Sequence, residues 1–560
     1  MKSLEELKEI YDIDLKANSS SVLEYLESKK YYHGHQLSDD TLAILNSRGQ
    51  PPIIENIFKM IVNKILGYKA QNIQELKVLG RQEEDKVLAD LLNDLLKIFS
   101  ESEEYEKEIL KRDKDLIFGM AVCELWIEQD EDKDYHLSIK NIPSDCFLID
   151  RYSVEKDAKD ARRFHKTTNL SKKVAKKLFG NKALITNHQN YDDRVFVIES
   201  YILENHNGKE VFSRYCWHEE GGIYLYEKMP FKNGCHPFII QKFNIDEKLK
   251  WYGLFRDIKP LQDYINFAEN RMANMMGSLK AFYEEDAVIN VDEFIESASL
   301  DNSFTKVRTN ALKDKKIEFV QHHADIQALS QKANEKRNLA KILSGLNDEA
   351  LGMAINRQSG IAIAQRRDAG LMGMQDFLKA SDLMDKNIFK KALDYITHYF
   401  TKEQVFKIVD EKIGERYFKI NTNENNKIKI GKFDLIFKTQ LKTQGREERF
   451  AHWSEMLKTL AGIRPDLVAD ILPLMLKDTD SPIVADLEEL LAIKEKNNQK
   501  AMEANAPLMQ MQQELSIEQL KASILETKAK AMKYQAQGNL ALNLANEEEP
   551  TQTKKGQDLR

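Results

Sequence analysis

Between Gly253 and Phe400 the hydrophobic period changes twice, and nothing else in the sequence limits the possible folds so sharply. From Asp257 to Phe282 apolar residues recur at Ile258, Leu261, Tyr264, Ile265, Ala268, Met272, Met275, Met276, Leu279 and Phe282. Spacing by threes and fours is one face of an amphipathic helix, and Pro260 falls in its first turn, where a missing N–H costs nothing. Residues Asp286 to Gln321 then read as β-type, with runs Ala287-Val288-Ile289-Asn290-Val291 and Lys316-Ile317-Glu318-Phe319-Val320. A second helix is predicted from Ala324 to Leu343, then a glycine-punctuated break, Ser344 to Gly352, and a long third helix to Phe400. Two helices leading to and from a small β element make a stalk. Such a hairpin buries too little alone, so neighbouring copies are its expected support.

The rest of the chain supplies a body for that stalk. At 560 residues it exceeds one ordinary core, and several domains are expected. No run reaches the roughly 18 consecutive apolar residues that cross a bilayer. Met1-Lys2-Ser3-Leu4-Glu5-Glu6 has no apolar run behind it, so no secretory signal is expected. Cys123, Cys146, Cys216 and Cys235 lack a disulfide rhythm, which fits a reducing compartment. The net charge of −7 argues against tight, unspecific nucleic-acid binding, which needs a basic surface that releases counterions.

In order, residues 4 to 32 read as two short helices parted by Asn18-Ser19-Ser20-Ser21. A helix to Leu45 follows, then the turn Arg48-Gly49-Gln50-Pro51-Pro52, then a helix ending at Gly67. Residues 83 to 117 are strongly helical. From Gly119 the texture is β: a hairpin of Val122–Gln129 with Tyr135–Ile142, a helix Ser171–Phe179, and a meander of Val195–Glu204, Glu210–His218 and Ile223–Met229. Short elements after Phe400 (404–408, 417–421, 433–437) are expected to rejoin this body. From Glu447 the pattern is helical again, with Ile517, Leu520, Ile524 and Ala531 forming a stripe but no sustained heptad. The polar end, 547–560, reads as disordered. The fold class is α+β and predominantly helical.

The sequence holds no phosphate loop, dinucleotide fingerprint, His-Glu-x-x-His or Gly-x-Ser-x-Gly. Asp130, Asp132 and Asp134 imitate a calcium loop, but Tyr135 stands where glycine is needed and Asn141 where the bidentate glutamate is needed. Cys216 and His218 with Cys235 and His236 approach a zinc set. Adjacent Cys235 and His236 cannot both face one ion, so ordinary strand residues are the better reading. His322-His323 reads as a surface pair. No cofactor and no metal are expected, and an enzyme finds no foothold. Lys332, Lys336, Arg337 and Lys341 make a basic patch on the second stalk helix. On one chain it is a solvated face; repeated around a ring it becomes a weak positive belt.

Tyr31-Tyr32-His33-Gly34-His35-Gln36-Leu37, then Arg48-Gly49-Gln50-Pro51 and Asn56, resembles the opening of phage portal proteins, the head-to-tail connectors. The order of the segments is most similar to the short-tailed-phage type. Gly253-Leu254-Phe255-Arg256-Asp257 with Leu261-Gln262-Asp263-Tyr264-Ile265-Asn266 resembles the start of their stem helix. Ser359-Gly360-Ile361-Ala362-Ile363 with Gln365-Arg366-Arg367 is similar to the segment after their tunnel loop.

The resemblance implies a dodecameric ring at one capsid vertex, in the virion and, during assembly, the host cytoplasm. Residues 1–255 and 378–483 would be the wing, 256–285 and 322–345 the stem, 286–321 the clip, 346–377 the tunnel loop with the start of the long helix, and 484–546 a helical crown or barrel. Asn347, Asp348, Glu349, Asn356 and Arg357 would face DNA. The clip, through Asn290, Asp292, Glu293, Lys306, Arg308 and Lys313, would dock the terminase large subunit and later the tail adaptor. Capsid and scaffolding proteins would be further partners, and double-stranded DNA would pass without sequence specificity. An acidic wall with sparse cations lets DNA slide where a basic wall would hold it. Gly345, Gly352, Gly360, Gly370 and Gly373 would let the loop and adjoining helix bend, though Gly370 and Gly373 equally suit close helix packing. The alternative is a cytosolic helical scaffold that oligomerises through its C-terminal segment without a channel.

Overall fold

The computed structural model describes residues 1–70, 72–80, 86–129, 134–181, 194–277, 280–298, 304–320, 323–345, 374–410, 414–422, 428, 433–441, 446–463, 471 and 519–530. It divides into one unit of Met1–Asp410 with Glu415–Thr443 and another of Glu411–Gly414 with Gln444–Arg560.

The first unit opens with α1 (Leu4–Tyr32), started by a reciprocal cap: Ser3 Oγ accepts from the Glu6 N–H at 3.2 Å, and Glu6 Oε2 from the Ser3 N–H at 2.7 Å. The expected break at Asn18–Ser21 is absent, and burial explains why. Asn18 Nδ2 donates to the Asp14 and Ile149 carbonyls, both at 2.8 Å, and its Oδ1 accepts from Trp251 Nε1 at 3.2 Å. The Asn18 side chain, which would compete with an isolated helix, is here engaged by tertiary partners, so one helix runs through. After α2 (Asp39–Ser47), α3 (Ile57–Ala70) continues past Gly67, because Lys69 in its last turn is buried against Asp382 and Asp385.

Next come β1 (Asn72–Gly80), α4 (Lys86–Ser100) and α5 (Glu103–Phe118). The helical stretch divides at Ser102, whose Oγ accepts from the Tyr105 N–H at 3.2 Å. Gly119 ends α5 at φ +147°, where a Cβ would lie 2.9 Å from the Trp251 ring. The expected hairpin follows as β2 (Met120–Gln129) and β3 (Tyr135–Ile142), then β4 (Phe147–Ile149), β5 (Arg163–Ser171) and α6 (Lys172–Phe179). The expected meander is β6 (Arg194–His206), β7 (Lys209–His218) and β8 (Gly222–Glu227), with Asn207-Gly208 at positive φ in the first turn. Then come β9 (Phe238–Lys242), β10 (Asn244–Ile245) and β11 (Trp251–Tyr252). Strands β3-β2-β9 form one antiparallel sheet and β4-β5-β6-β7-β8 another.

The hairpin leaves this body at Gly253, where a Cβ would sit 2.3 Å from the Ile117 carbonyl oxygen, so the two backbones cross where no side chain fits. The buried rings of Tyr25, Phe58, Phe118, Trp251 and Phe255 surround the crossing. Helix α7 (Phe255–Gly277) starts earlier and stops sooner than its apolar stripe suggests. Pro260 therefore sits inside the helix and not in the first turn, and supplies no N–H to the Arg256 carbonyl. Residues expected to finish that helix instead form β12 (Lys280–Tyr283), paired with β13 (Ile317–Val320). The expected strand at 287–291 is reduced to a bridge between Val288 and Val307, and an unexpected helix, α8 (Val291–Ala298), follows. Asn290 Oδ1 accepts from the Asp292 and Glu293 N–H groups at 3.1 and 3.4 Å, a cap that turns a β-branched run into a helix start. Helix α9 (His323–Leu343) packs back along α7.

Helix α10 (Gln375–Tyr399), β14 (Gln404–Asp410), β15 (Gly414–Ile420) and β16 (Phe433–Leu441) complete the unit. Strand β16 returns to β1 in antiparallel register, from Asn72↔Leu441 to Gly80↔Phe433. In the second unit, α11 (Arg446–Ile463) buries Leu457 against Trp453, Ile471 and Leu520, and residues 519–530 are helical.

Candidate functional site

The root of the α7–α9 hairpin is fastened by polar side chains that look like a solvated face in the sequence. Gln262, Asn266 and Asn270 recur every four residues along α7, yet all three are buried. Gln262 Nε2 donates to the Glu55 carbonyl at 2.6 Å and to Asn266 Oδ1 at 3.1 Å, while its Oε1 accepts from the Phe58 N–H at 3.1 Å. Asn266 Nδ2 donates to Gln36 Oε1 at 2.7 Å. Asn270 Nδ2 donates to the Ile53 carbonyl at 2.7 Å, and its Oδ1 accepts from the Ile53 N–H at 2.9 Å. Asn56 Nδ2 reaches the Tyr31 and Tyr32 carbonyls at 3.0 and 3.1 Å. The ladder thus ties the Pro51-Pro52 turn, whose prolines donate nothing, to both α1 and the hairpin.

Charged groups reinforce this root. Tyr31 donates to Asp263 at 2.5 Å, and Lys259 reaches Asp263 at 2.7 Å. Burial and the Asp263 carboxylate push the Tyr31 hydroxyl up to about 12. Burial works against the Lys259 charge, but its bonds to Asp263 and Tyr31 outweigh that and raise it.

The four cations of the expected basic patch behave differently from one another. Arg337 is half-buried and folds inward onto Glu55, at 2.6 Å, and onto Glu269. Lys332 pairs with Glu335 at 2.8 Å, and Lys336 lies 5.9 Å from the centre of the Tyr264 ring. Lys341 is half-buried in the last turn of α9. Carboxylates of the same chain thus compensate the charges of Lys332 and Arg337.

In the insert between the helices, Asn290 caps α8 and exposed Asp292 and Glu293 occupy its first turn. Lys306, Arg308 and Lys313 are exposed. The core is small, made of Ala287, Val288, Phe294 and Ala311. Sequence reading missed its apolar knobs: Phe304 is 99% exposed, Leu312 65% and Ile295 59%. Asn347, Asp348, Glu349, Asn356 and Arg357 lie outside the described residues, as does Asp130–Lys133 of the calcium-like turn.

The zinc-like residues are not gathered. Cys216 is buried and burial pushes its thiol up to about 12, whereas Cys235 is exposed. His236 is wedged between the Phe164 and Phe212 rings, with centroids at 4.4 and 4.9 Å, and burial holds it well below its ordinary value. Among the described residues no group of three or more His, Cys, Asp or Glu is placed to hold a metal, and no helix is long and apolar enough to cross a membrane.

Behind the hairpin, α3, α5 and α10 share a buried ionic cluster. Arg112 bonds Asp385, Asp113 (Nε at 3.1 Å) and Ser381 (2.9 Å), and Lys69 reaches Asp385 at 3.1 Å and Asp382 at 2.9 Å. Burial opposes the Arg112 charge, but Asp113 and Asp385 hold it well above its usual range; burial raises Asp113 in turn. A second cluster joins the sheets through Glu124–Lys166 (2.7 Å), Lys166–Glu199 (3.3 Å) and Arg214–Glu199 (2.6 Å). The first borders a cleft lined by Lys69, Tyr105 and Asp113, but the cations of both clusters are engaged by carboxylates of other elements, and both read as fasteners.

The described residues thus present a helical hairpin fastened to its body by buried polar side chains, joined through an insert that bears exposed apolar residues. The model of the Phage P22-like portal protein family matches residues 8–534. The chain is also similar to the "Portal protein" of Helicobacter pylori bacteriophage KHP30, 54% identical over 522 residues, covering 92% of this chain and 87% of that protein. The chain belongs to the P22-like phage portal protein family. It is thus a structural component of a phage, from a family that is not a class of enzymes.

Proposed function

We propose that the protein forms a closed ring, a dodecamer, around a channel at one capsid vertex of the virion, through which the genome is packaged and later ejected. The observation that carries this is the match to the portal family across residues 8–534, which spans the fastened hairpin and its insert. In this reading residues 1–255 and 378–483 are the wing, α7 and α9 the stem, and 286–321 the clip. Residues 484–546 are the crown. The clip docks the terminase large subunit and then the tail adaptor through Asn290, Asp292, Glu293, Lys306, Arg308 and Lys313, with Phe304 and Leu312 as apolar anchors beside them. Asn347, Asp348, Glu349, Asn356 and Arg357 line the narrowest part of the channel.

Physical support comes from the charges. A duplex slides only where its phosphates release few counterions to the wall. Lys332 and Arg337 are neutralised by carboxylates of their own chain, so the belt they form with Lys336 and Lys341 is weakly positive and brakes little. Capsid and scaffolding proteins are the remaining partners, and no cofactor enters.

Negative-stain electron microscopy of the purified protein, with rotational symmetry counted, tests this. Closed rings with a central hole are expected, and deleting 286–321 should impair them. A stable dimer or rod that survives that deletion would replace the ring with a helical scaffold lacking a channel.

A further inference from the structure

From Ala161 to Tyr191 the chain carries eight cations and no carboxylate: Arg162, Arg163, Lys166, Lys172, Lys173, Lys176, Lys177 and Lys182. In a chain with 90 acidic residues such a gap calls for an account. The first three are used internally. Arg162 pairs with Glu210 at 2.7 Å, Arg163 with Asp14 and Asp150 at 2.9 Å, and Lys166 with Glu124 and Glu199. Among the described residues, Lys173, Lys176 and Lys177 of α6 are exposed and make no ion pair.

Helix α6 is firmly seated. Ser171 Oγ accepts from the Val174 N–H, Ala175 is wholly buried with Val195, Val197 and Cys216, and Phe179 lies against the Tyr224 ring at 5.7 Å. At about 100° per residue, Lys176, Lys173 and Lys177 follow one another around the open side, and Val174 and Leu178 come next. Those two are 43% and 59% exposed. The surface is therefore a basic arc beside an apolar shelf, held on a rigid support.

Helix stability does not explain it. Lysine in the last turn suits the helix dipole, as Lys176 and Lys177 do, but the first turn favours carboxylates and here holds Lys172 and Lys173 with no acid. Lys173, exposed and without an ion pair among the described residues, gains nothing from that dipole.

We infer that α6 is a docking surface for an acidic amphipathic helix of a partner protein, its carboxylates on the lysine arc and its apolar residues on Val174 and Leu178. Phosphate would use the lysines and leave the shelf wet, whereas an amphipathic helix uses both. The ring reading is not needed for this.

The test is fluorescence anisotropy with a labelled synthetic peptide carrying glutamates on one helical face and leucines on the next. A scrambled peptide of equal composition, a short DNA duplex and phosphatidylserine vesicles run in parallel. Salt-sensitive binding of the amphipathic peptide above its scrambled control is expected. The combined change Lys173→Glu, Lys176→Glu, Lys177→Glu should weaken it at least about tenfold, and Val174→Ser with Leu178→Ser several-fold. Lys173→Glu alone should weaken binding while the melting midpoint holds or rises, which separates docking from folding. No binding above the scrambled control, binding indifferent to the lysines, or preference for duplex or vesicles that ignores Val174 and Leu178 would overturn the inference.

Discussion

At the hairpin root, Gln262, Asn266 and Asn270 are no more than 7% exposed, and each side-chain polar atom has a partner. In the insert joining the same two helices, the buried core is four small or single-ring residues, and Phe304, Leu312 and Ile295 face solvent. Buried, fully satisfied polar groups specify one geometry, because any shift strands a donor or acceptor at about 1–3 kcal/mol. Exposed apolar knobs over a thin core specify little alone and gain from a partner's surface. One region is held in a single geometry by its own partners, while the other leaves large apolar side chains in solvent.

The contrast can be broken most forcefully behind the root. Arg112→Met leaves Asp113 and Asp385 without their guanidinium and should cost about 3–5 kcal/mol in denaturant unfolding. A loss below about 1 kcal/mol would mean the cluster is not a fastener. Phe294→Ala removes the only ring among the described residues of the insert's buried core and should cost about 3 kcal/mol, confined to the insert. Hydrogen exchange would show fast amides across 286–320 and unchanged protection in β6 and β7. Spread to those strands would show that the insert and body are one cooperative unit. Asn266→Leu strands Gln36 and Gln262 and should cost about 2 kcal/mol, with faster exchange at Gln50–Glu55.

A smaller effect appears only in acid. Burial raises the Asp14 carboxyl, but the His165 and Arg163 bonds prevail and hold it below 3.8. A depressed carboxylate contributes stability above its unfolded value, lost as pH falls through the folded one. Wild-type stability should therefore decline below about pH 4 partly through this site, and Asp14→Asn should flatten that decline while lowering stability at neutral pH. Phe304→Ser should change stability by less than about 0.5 kcal/mol. A loss of more than about 1 kcal/mol would show that Phe304 packs at an interface of the purified protein.

Periodicity revealed what local pattern decides: the β2–β3 hairpin, the β6–β8 meander, and the pair α7 and α9. It failed where distant partners decide. Asn18 reads as a cap until Ile149 and Trp251 arrive, so α1 was split. Ile289 and Val291 read as strand until the Asn290 side chain starts a helix. The α7 ladder and the Arg112 cluster were invisible because polar residues at helical spacing look the same whether they face water or buried carbonyls. A polar run opposite the Pro51-Pro52 turn was the one available signal, since a proline pair leaves carbonyls that others must satisfy.

The pairing of β1 with β16 sets a timetable. Asn72 must wait for Leu441, so at roughly 5–20 residues per second a ribosome takes ~20–70 s to deliver the partner strand. One side of β1 is held early, since Asn93 Oδ1 accepts from the Val78 N–H at 2.6 Å and Asn93 Nδ2 donates to the Val78 carbonyl at 3.2 Å. The other side stays an unpaired edge throughout that interval, open to the wrong strand from any neighbouring nascent chain. Synthesis of a chain meant to assemble with its own copies therefore includes a window in which meeting them too soon is a hazard.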